Sequence, residues 1–290
     1  MSNDTSGAAS EKQYLTGSEG VSIAGHRCGD DDAPVALLFH GGGQTRHAWG
    51  NALQVLADHG WQAWTFDMRG HGDSGWSDDG RYSIDRFAAD VAAVANRFER
   101  PNLIGASLGG LASLVAVGEG LVEDPASLVL VDITPQFEID GARRVHEFMS
   151  KGIDGFATLD DAADTVAGYL PHRTRPSDHE GLRKNLRQRD DGRWYWHWDP
   201  RFLQLGDEAG EIRPLATEER LVAASTNVDV PTLLVRGTLS DVVGPAGAAA
   251  FQRHIPHAEL AEVDGAGHMV AGDRNDAFNA SILEFLERHR

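Results

Sequence analysis

One serine of this chain stands in a Gly-x-Ser-x-Gly frame, where it could act as a nucleophile. Ser107 is flanked by Gly105 and Gly109. The apolar run Asn102–Ala106 predicts a buried strand, and Leu108–Gly118 predicts a helix. A sharp turn between the two would lift the serine hydroxyl above the strand ends, and glycines would let strand and helix approach closely. This pattern favours nucleophilic attack by Ser107 on a carbonyl carbon.

A serine nucleophile needs a base that takes its proton. His268 lies in a glycine-rich loop, residues 264–269, directly after a predicted strand over 259–263. In a parallel sheet this loop opens at the same edge as the turn that carries Ser107. The order of serine, acid and histidine along the chain also agrees with a Ser-Asp-His arrangement. We therefore predict that His268 is the general base.

Two aspartates could orient His268. Asp241 follows the predicted strand over 231–236, and Asp132 ends the predicted strand over 127–132. Both loops open at the required edge of the sheet. We predict Asp241 as the acid because its position is the more usual one and its loop is long enough to reach the histidine. Asp132 remains the alternative.

A second glycine-rich stretch could complete an oxyanion site. Residues 40–43 read His-Gly-Gly-Gly after a buried apolar strand over 34–39. The amides of Gly42 and Leu108 are predicted to hold the oxyanion, the latter at the start of a helix. A phosphate-binding loop is disfavoured, because neither G-x-x-x-x-G-K-[ST] nor G-x-G-x-x-G occurs here.

The elements that carry these residues alternate between strand and helix. Strands are predicted at 34–39, 61–66, 102–106, 127–132, 231–236 and 259–263, and helices at 45–59, 83–99, 108–118, 245–254 and 276–289. Such alternation is typical of a mostly parallel sheet with helices on both faces. The predicted fold class is therefore α/β.

A long segment interrupts the alternation. Residues 134–228 lack a clear strand pattern and contain helical stretches, and they are too many for a simple connection. We predict that they form a helical cap inserted into a core built from residues 13–133 and 229–290. The polar residues 1–12 are predicted to be disordered.

The densest aromatic cluster, residues 194–198, falls in this segment. Packing of the cap onto its neighbours is its favoured role, and contact with substrate is the alternative. On the second interpretation the possible pocket residues are Gly43, Phe148, Trp196, Trp198 and Met269, with Met149 as a further candidate.

Composition excludes some classes of function. The net charge of −18 disfavours nucleic acid and anionic membrane surfaces as partners. A single cysteine, Cys28, permits no disulfide within the chain, which favours a reducing cytoplasm. The polar first twenty residues do not have the pattern of a signal peptide, and no apolar run is long enough to span a membrane. No cluster has metal-ligand spacing, so neither metal nor cofactor is expected. The sequence gives no oligomeric state.

Together these motifs resemble the α/β-hydrolase superfamily. The match rests on His40-Gly-Gly with Trp49, the loop of residues 67–74, the frame around Ser107, Asp241, and Gly267-His268, in that order. Its capped branch holds small esterases, enol-lactonases, cofactor-free haloperoxidases and epoxide hydrolases. The resemblance implies a structural role for Arg69 and His71 in the 67–74 loop. Relatives that open epoxides or remove halide carry an aspartate nucleophile, and Ser107 weighs against those two activities.

The predicted function is hydrolysis of a carboxylic ester or lactone of a small molecule. The triad would be Ser107, His268 and Asp241, and the reaction would pass through an acyl-enzyme. Two alternatives remain open. The same triad could catalyse perhydrolysis or the hydrolysis of a C–C bond, or the fold could serve as a ligand receptor with little turnover.

Overall fold

An eight-stranded, mostly parallel sheet forms the centre of the molecule. The computed structural model describes residues 10–173, 175, 178–203 and 215–290. In chain order the strands are Glu11–Thr16 (β1), Ser22–Cys28 (β2), Val35–Phe39 (β3), Gln62–Phe66 (β4), Asn102–Ala106 (β5), Ser127–Val131 (β6), Leu186–Gln188 (β7), Trp194–Trp196 (β8), Thr232–Gly237 (β9) and Glu259–Val263 (β10). The sheet order is β1-β2-β4-β3-β5-β6-β9-β10, and β2 is antiparallel to both its neighbours.

Helices connect and cover the strands. In chain order they are Ala52–Asp58 (α1), Ile84–Ala95 (α2), Leu108–Gly118 (α3), Ile139–Ser150 (α4), Leu159–Tyr169 (α5), Glu218–Thr226 (α6), Pro245–His254 (α7), Val270–Asp273 (α8) and Asn275–Arg288 (α9). Short 3₁₀ helices cover Ser18–Gly20, Arg46–Trp49, Glu180–Lys184 and Pro200–Leu203. The α/β prediction is confirmed, since the parallel strands alternate with helices over both faces.

Both faces of the central strands β3, β4, β5, β6 and β9 are buried, which explains the continuous apolar runs in their sequences. Successive residues of β3 alternate between the two faces. Leu37 and Phe39 belong to the hydrophobic cluster on one side, and Ala36 and Leu38 to the cluster on the other. The strand positions are thereby fixed from both sides, and their carboxyl ends meet at one edge.

The N-terminal part of the chain is more ordered than the sequence predicts. Residues 11 and 12 begin β1, which pairs with β2 from Glu11 opposite Arg27 to Thr16 opposite Ser22. The prediction of disorder over 1–12 is therefore wrong at residues 11 and 12, and residues 1–9 lie outside the described residues. Strand β1 is an exposed edge strand with charged residues, so its sequence lacks the apolar run that identifies a buried strand.

The inserted segment is mixed rather than purely helical. It contains α4 and α5, but β7 and β8 form an antiparallel hairpin in which Leu186 pairs with Trp196. Helix α6 packs on α3 of the core, where Asn227 Nδ2 donates to the Gly118 carbonyl at 3.1 Å. The cap boundary predicted at residue 228 therefore moves to a point before α6. Among the described residues, no helix is long and apolar enough to cross a membrane.

Candidate active site

Ser107 sits on the turn between β5 and α3, in a conformation that side chains rarely adopt. Its backbone has φ 46° and ψ −111°. Its amide donates to the Val131 carbonyl at 3.2 Å, and its carbonyl accepts from the Leu111 amide at 2.8 Å, so β6 and α3 hold the strained residue in place. Strain of this kind persists only where the surroundings enforce it, and it is common at functional sites.

The two flanking glycines are required by close backbone packing. A Cβ at Gly105 would collide with the backbone of Gly109, and a Cβ at Gly109 would collide with the Phe39 carbonyl. Strand β5 and helix α3 therefore approach more closely than any side chain would allow. The Gly-x-Ser-x-Gly frame has the strand–turn–helix context that its sequence predicts.

His268 and a buried carboxylate meet above the ends of β6 and β10. His268 Nδ1 lies 2.8 Å from Asp132 Oδ2. The Asp132 side chain is fully buried, and its other oxygen accepts the Gly237 amide at 3.1 Å. Because a carboxylate accepts the bond, Nδ1 carries the proton and Nε2 is left to accept one.

The structure does not place Asp241 at His268, so that prediction is corrected to Asp132. Asp241 Oδ2 instead accepts from Arg144 Nε at 2.8 Å, in an ion pair whose side chains are 39% and 51% exposed. The turn that follows β9 brings Ser240 toward Asp132, and the next side chain therefore points out toward α4. Asp132 is the alternative acid that the sequence offers.

Two backbone amides beside Ser107 have no internal acceptor within the described residues. Three amides close to them are used: Gly41 donates to Gln44 Oε1 at 2.9 Å, Gly43 to His71 Nε2 at 3.0 Å, and Gly109 to the His40 carbonyl at 3.1 Å. The amides in question are those of Gly42 and Leu108, the pair that the sequence singles out. A Cβ on Gly41 would lie 3.3 Å from the Ser107 Cβ, which shows how close the two loops are.

Buried neutral histidines fix the glycine-rich loop. His71 Nε2 accepts the Gly43 amide, and His71 Nδ1 lies 2.9 Å from the Arg69 carbonyl. His40 contacts the Gly41 carbonyl at 2.7 Å and the Met68 amide at 2.9 Å. Burial lowers the pKa of His40 to about 4 and that of His71 to about 3. Both imidazoles are therefore neutral supports near pH 7, which agrees with the structural role expected for His71.

Arg69 is also enclosed in a structural network. Its Nε donates to Asp90 Oδ2 at 2.8 Å, and its Nη1 donates to Glu19 Oε2 at 2.6 Å. The Arg69 side chain is only 2% exposed. It ties the 67–74 loop to α2 and the N-terminal turn, and it does not line the cavity beside Ser107.

A cavity of about 330 Å³ opens beside Ser107 and His268. Gly43, Phe148, Trp196 and Met269 of the predicted pocket line it, as does Met149. The cap supplies an apolar wall that also includes Val145, Val166, Tyr169, Leu170 and Leu182. The cavity therefore joins an apolar chamber to the polar groups at the strand ends.

Trp198 does not line this cavity, so its place in the predicted pocket is corrected. It is 3% exposed and bridges to His71 through the backbone. Trp196 contacts Phe148 and Phe156 edge to face, with ring centres 5.6 and 5.3 Å apart. One tryptophan of the cluster thus faces the chamber, and the other packs the cap onto the core.

Sequence reasoning missed several residues around the site. Arg173 lines the cavity, and its Nε donates to Asp273, whose Oδ2 accepts the Gly267 amide at 2.8 Å. Ser240 donates its hydroxyl to Asp132 Oδ2. Single serine and arginine residues outside a motif give no signal in the sequence, and only the fold brings them here.

A larger groove of about 580 Å³ lies elsewhere. It is lined by Val35 and Asn102 at the amino ends of β3 and β5, together with surface charges such as Asp31 and Arg97. The groove is therefore at the end of the sheet opposite to Ser107, and the reactive groups lie in the smaller cavity.

The family comparison agrees with this geometry. The family described as alpha/beta hydrolase fold matches residues 34–274. The chain belongs to the α/β-hydrolase family. This membership confirms the family and the fold that the sequence motifs predict.

Three similar proteins illustrate the breadth of the family. The chain is 31% identical over 265 residues to the esterase Rv0045c of Mycobacterium tuberculosis, covering 88% of this chain and 83% of that protein. A crystal structure of that esterase superposes with a TM-score of 0.75 at 28% identity, over 97% and 93% of the two chains. A 2-(acetamidomethylene)succinate hydrolase of Mesorhizobium japonicum is 28% identical over 88% of each chain. An enol-lactonase of Burkholderia xenovorans shares the fold, with a TM-score of 0.72 at 21% identity over 95% and 100% of the chains.

Proposed function

We propose that this protein is a serine hydrolase that cleaves a carboxylic ester or lactone of a small molecule. The observation that carries the proposal is the hydrogen bond from His268 to buried Asp132, because His268 lines the same cavity as Ser107. The similarity to an esterase over most of both chains supports the same reaction class.

In the first half-reaction Ser107 Oγ attacks the carbonyl carbon as His268 Nε2 takes its proton. The carbonyl oxygen gains negative charge, which the free amides of Gly42 and Leu108 stabilise. Asp132 stabilises the imidazolium that forms. The C–O bond to the leaving alcohol then breaks, and His268 returns the proton to that alcohol. The acyl group stays on Ser107.

In the second half-reaction water replaces the alcohol. His268 removes a proton from the water, and the resulting hydroxide adds to the acyl carbon. Collapse of this intermediate breaks the bond to Ser107 Oγ, which recovers its proton from His268 and releases the acid. A lactone would open in the first half-reaction and remain on Ser107 as a hydroxyacyl group. Hydrolysis in the second half-reaction would release it as a hydroxy acid.

The size and the apolar wall of the cavity favour compact substrates with an apolar acyl group or ring. A volume of about 330 Å³ lies at the small end of ligand pockets. Phe148, Met149 and Trp196 line the chamber with apolar surface, which would bind an acyl chain or ring. We propose short- to medium-chain esters and small lactones as the substrate class.

A panel of p-nitrophenyl esters from acetate to palmitate tests the proposal, with small lactones alongside. We expect a maximum of kcat/KM at short or medium chain length and a steep fall for palmitate. Ser107→Ala should lower kcat by about 10⁶ while the protein remains folded. Absence of turnover across the panel by folded wild-type protein would contradict the proposal.

The same panel separates the alternatives. Turnover of vinylogous diketones above esters would favour hydrolysis of a C–C bond, and peracid formation from acetate and peroxide would favour perhydrolysis. Tight ligand binding without turnover would favour a receptor. The sequence leaves these open, and no contact in the described structure favours one of them over ester hydrolysis.

A further inference from the structure

Ser240 occupies a constrained position beside the carboxylate of Asp132. Its hydroxyl donates to Asp132 Oδ2, the same oxygen that lies 2.8 Å from His268 Nδ1. It also accepts the amides of Val242 and Val243, each at 3.1 Å. Because two donors occupy the lone pairs of the hydroxyl oxygen, its single proton is directed at Asp132.

Backbone hydrogen bonds join the loop that carries Ser240 to the segment that leads to His268. The Thr238 amide donates to the Val263 carbonyl at 3.1 Å, and the Leu239 amide donates to the Ala266 carbonyl at 2.9 Å. The Ser240 amide closes the turn on Gly237 at 3.0 Å. The hydroxyl is therefore held rigidly, and its contact with Asp132 depends on the backbone rather than on a mobile side chain.

We propose that Ser240 is a positioning residue that holds Asp132 in the orientation needed by His268, an inference that rests on the proposed function. The Gly237 amide secures Oδ1, and Ser240 secures Oδ2. With both oxygens held, the carboxylate cannot rotate away from the imidazole. His268 then keeps its proton on Nδ1 and directs Nε2 toward Ser107.

Loss of this hydroxyl should affect the rate of the reaction rather than substrate binding. Ser240 does not line the cavity. We expect Ser240→Ala to lower kcat by about 10- to 100-fold, the range for a lost hydrogen bond to a charged group, with less than about a twofold change in KM. Ser240→Thr keeps the hydroxyl and should restore kcat to within about threefold.

Thr238→Val is the matched control, because it removes a hydroxyl from the same loop. The Thr238 hydroxyl contacts Asp264 and the Gly265 amide and not Asp132. The kcat of Thr238→Val should stay within about threefold of wild type. If Ser240→Ala does not fold, Ser240→Cys keeps an acceptor for the two amides but is only a weak donor, and it serves in its place.

A second readout does not depend on turnover. The Nδ1 proton of His268 can be followed by NMR and assigned by its loss in His268→Gln. We expect its exchange with water to be slow in wild type and in Ser240→Thr, and at least tenfold faster in Ser240→Ala.

The two readouts have distinct outcomes. An unchanged exchange rate in Ser240→Ala would overturn the positioning role, whatever happens to kcat. If exchange responds as expected but the wild type hydrolyses no ester, then Ser240 does position Asp132 and the proposed function fails instead.

Discussion

Ser107 and Asp132 both have a left-handed backbone, with φ of 46° and 50°. Non-glycine residues seldom adopt this conformation, and it costs on the order of 1–3 kcal/mol at each position. Each residue directly follows a parallel strand, and in each the unusual turn aims the side chain across the strand ends. The strain is offset by the hydrogen bonds of the Ser107 and Asp132 amides to neighbouring strands.

The two candidate acids can be separated by the same substitution. Asp132→Asn should lower kcat by about 10⁴, because an amide favours the wrong tautomer of His268 and does not stabilise the imidazolium. Asp241→Asn breaks only an exposed ion pair with Arg144 and should change kcat by less than about threefold. Steady-state kinetics on both folded variants makes the comparison. A larger loss of kcat in Asp241→Asn than in Asp132→Asn would identify Asp241 as the acid instead.

The choice between these acids could not be made from the sequence. Asp132 and Asp241 both follow buried strands that end at the same edge of the sheet. The decisive fact is the tight turn after β9, closed by the Ser240 amide on the Gly237 carbonyl at 3.0 Å. It places Ser240 over Asp132 and turns Asp241 outward. The positions of Ser107 and His268 at the strand ends were predictable because their glycine-rich contexts specify strand ends and turns.

At the level of elements, the central buried strands were predictable, whereas a polar edge strand and two very short strands were not. The predicted strands over 102–106 and 127–132 agree with β5 and, to within one residue, with β6, because apolar runs between turn residues identify them. The edge strand β1 carries charges, and the hairpin of β7 and β8 has strands of three residues each. Sequences this short or this polar cannot be distinguished from those of loops.

The cap should control substrate choice through Trp196 and not through Trp198. Trp196 faces the chamber, and its Nε1 donates to the Lys151 carbonyl at 2.7 Å. Trp196→Phe enlarges the chamber, so the octanoate-to-butyrate ratio of kcat/KM should rise by about tenfold. The same change in buried Trp198 should lower the free energy of unfolding by about 1–3 kcal/mol and leave the ratio unchanged.

Chain-length profiles and urea unfolding of the two variants test this expectation. The reaction of Ser107 with a small fluorophosphonate serves as the control, and its rate should change by less than about threefold in either variant. Equal shifts of the substrate profile in both variants would contradict the distinction between a chamber residue and a packing residue.

Across the whole molecule, buried neutral histidines should make the fold sensitive to mild acid. Burial lowers the pKa of His40 to about 4 and of His71 to about 3, and the pKa values of His47 and His197 are also lowered to about 4. The unfolded chain takes up these protons near pH 6.5, whereas the folded chain does not. Stability is therefore full above about pH 6.5 and falls as the pH drops toward 4.

The magnitude follows from the size of the pKa shifts. At pH 5 each fully buried imidazole should remove roughly 2 kcal/mol from the free energy of unfolding. Urea unfolding at pH 7.5, 6 and 5 measures the slope. His71→Gln keeps an acceptor for the Gly43 amide but does not titrate, so its slope should be shallower than that of the wild type. Equal stability of the wild type at pH 7.5 and pH 5 would contradict this account.

Ester hydrolysis by this protein requires that Ser107 be the nucleophile and that His268 and Asp132 activate it. The most direct test treats folded wild-type protein with a fluorophosphonate and maps the adduct by peptide mass spectrometry. We expect one adduct per chain, located on Ser107, and no adduct in Ser107→Ala. His268→Ala and Asp132→Asn should react much more slowly, while Asp241→Asn should react at the wild-type rate. Wild-type protein that stays unlabelled, or that carries its adduct on another residue, would contradict the claim.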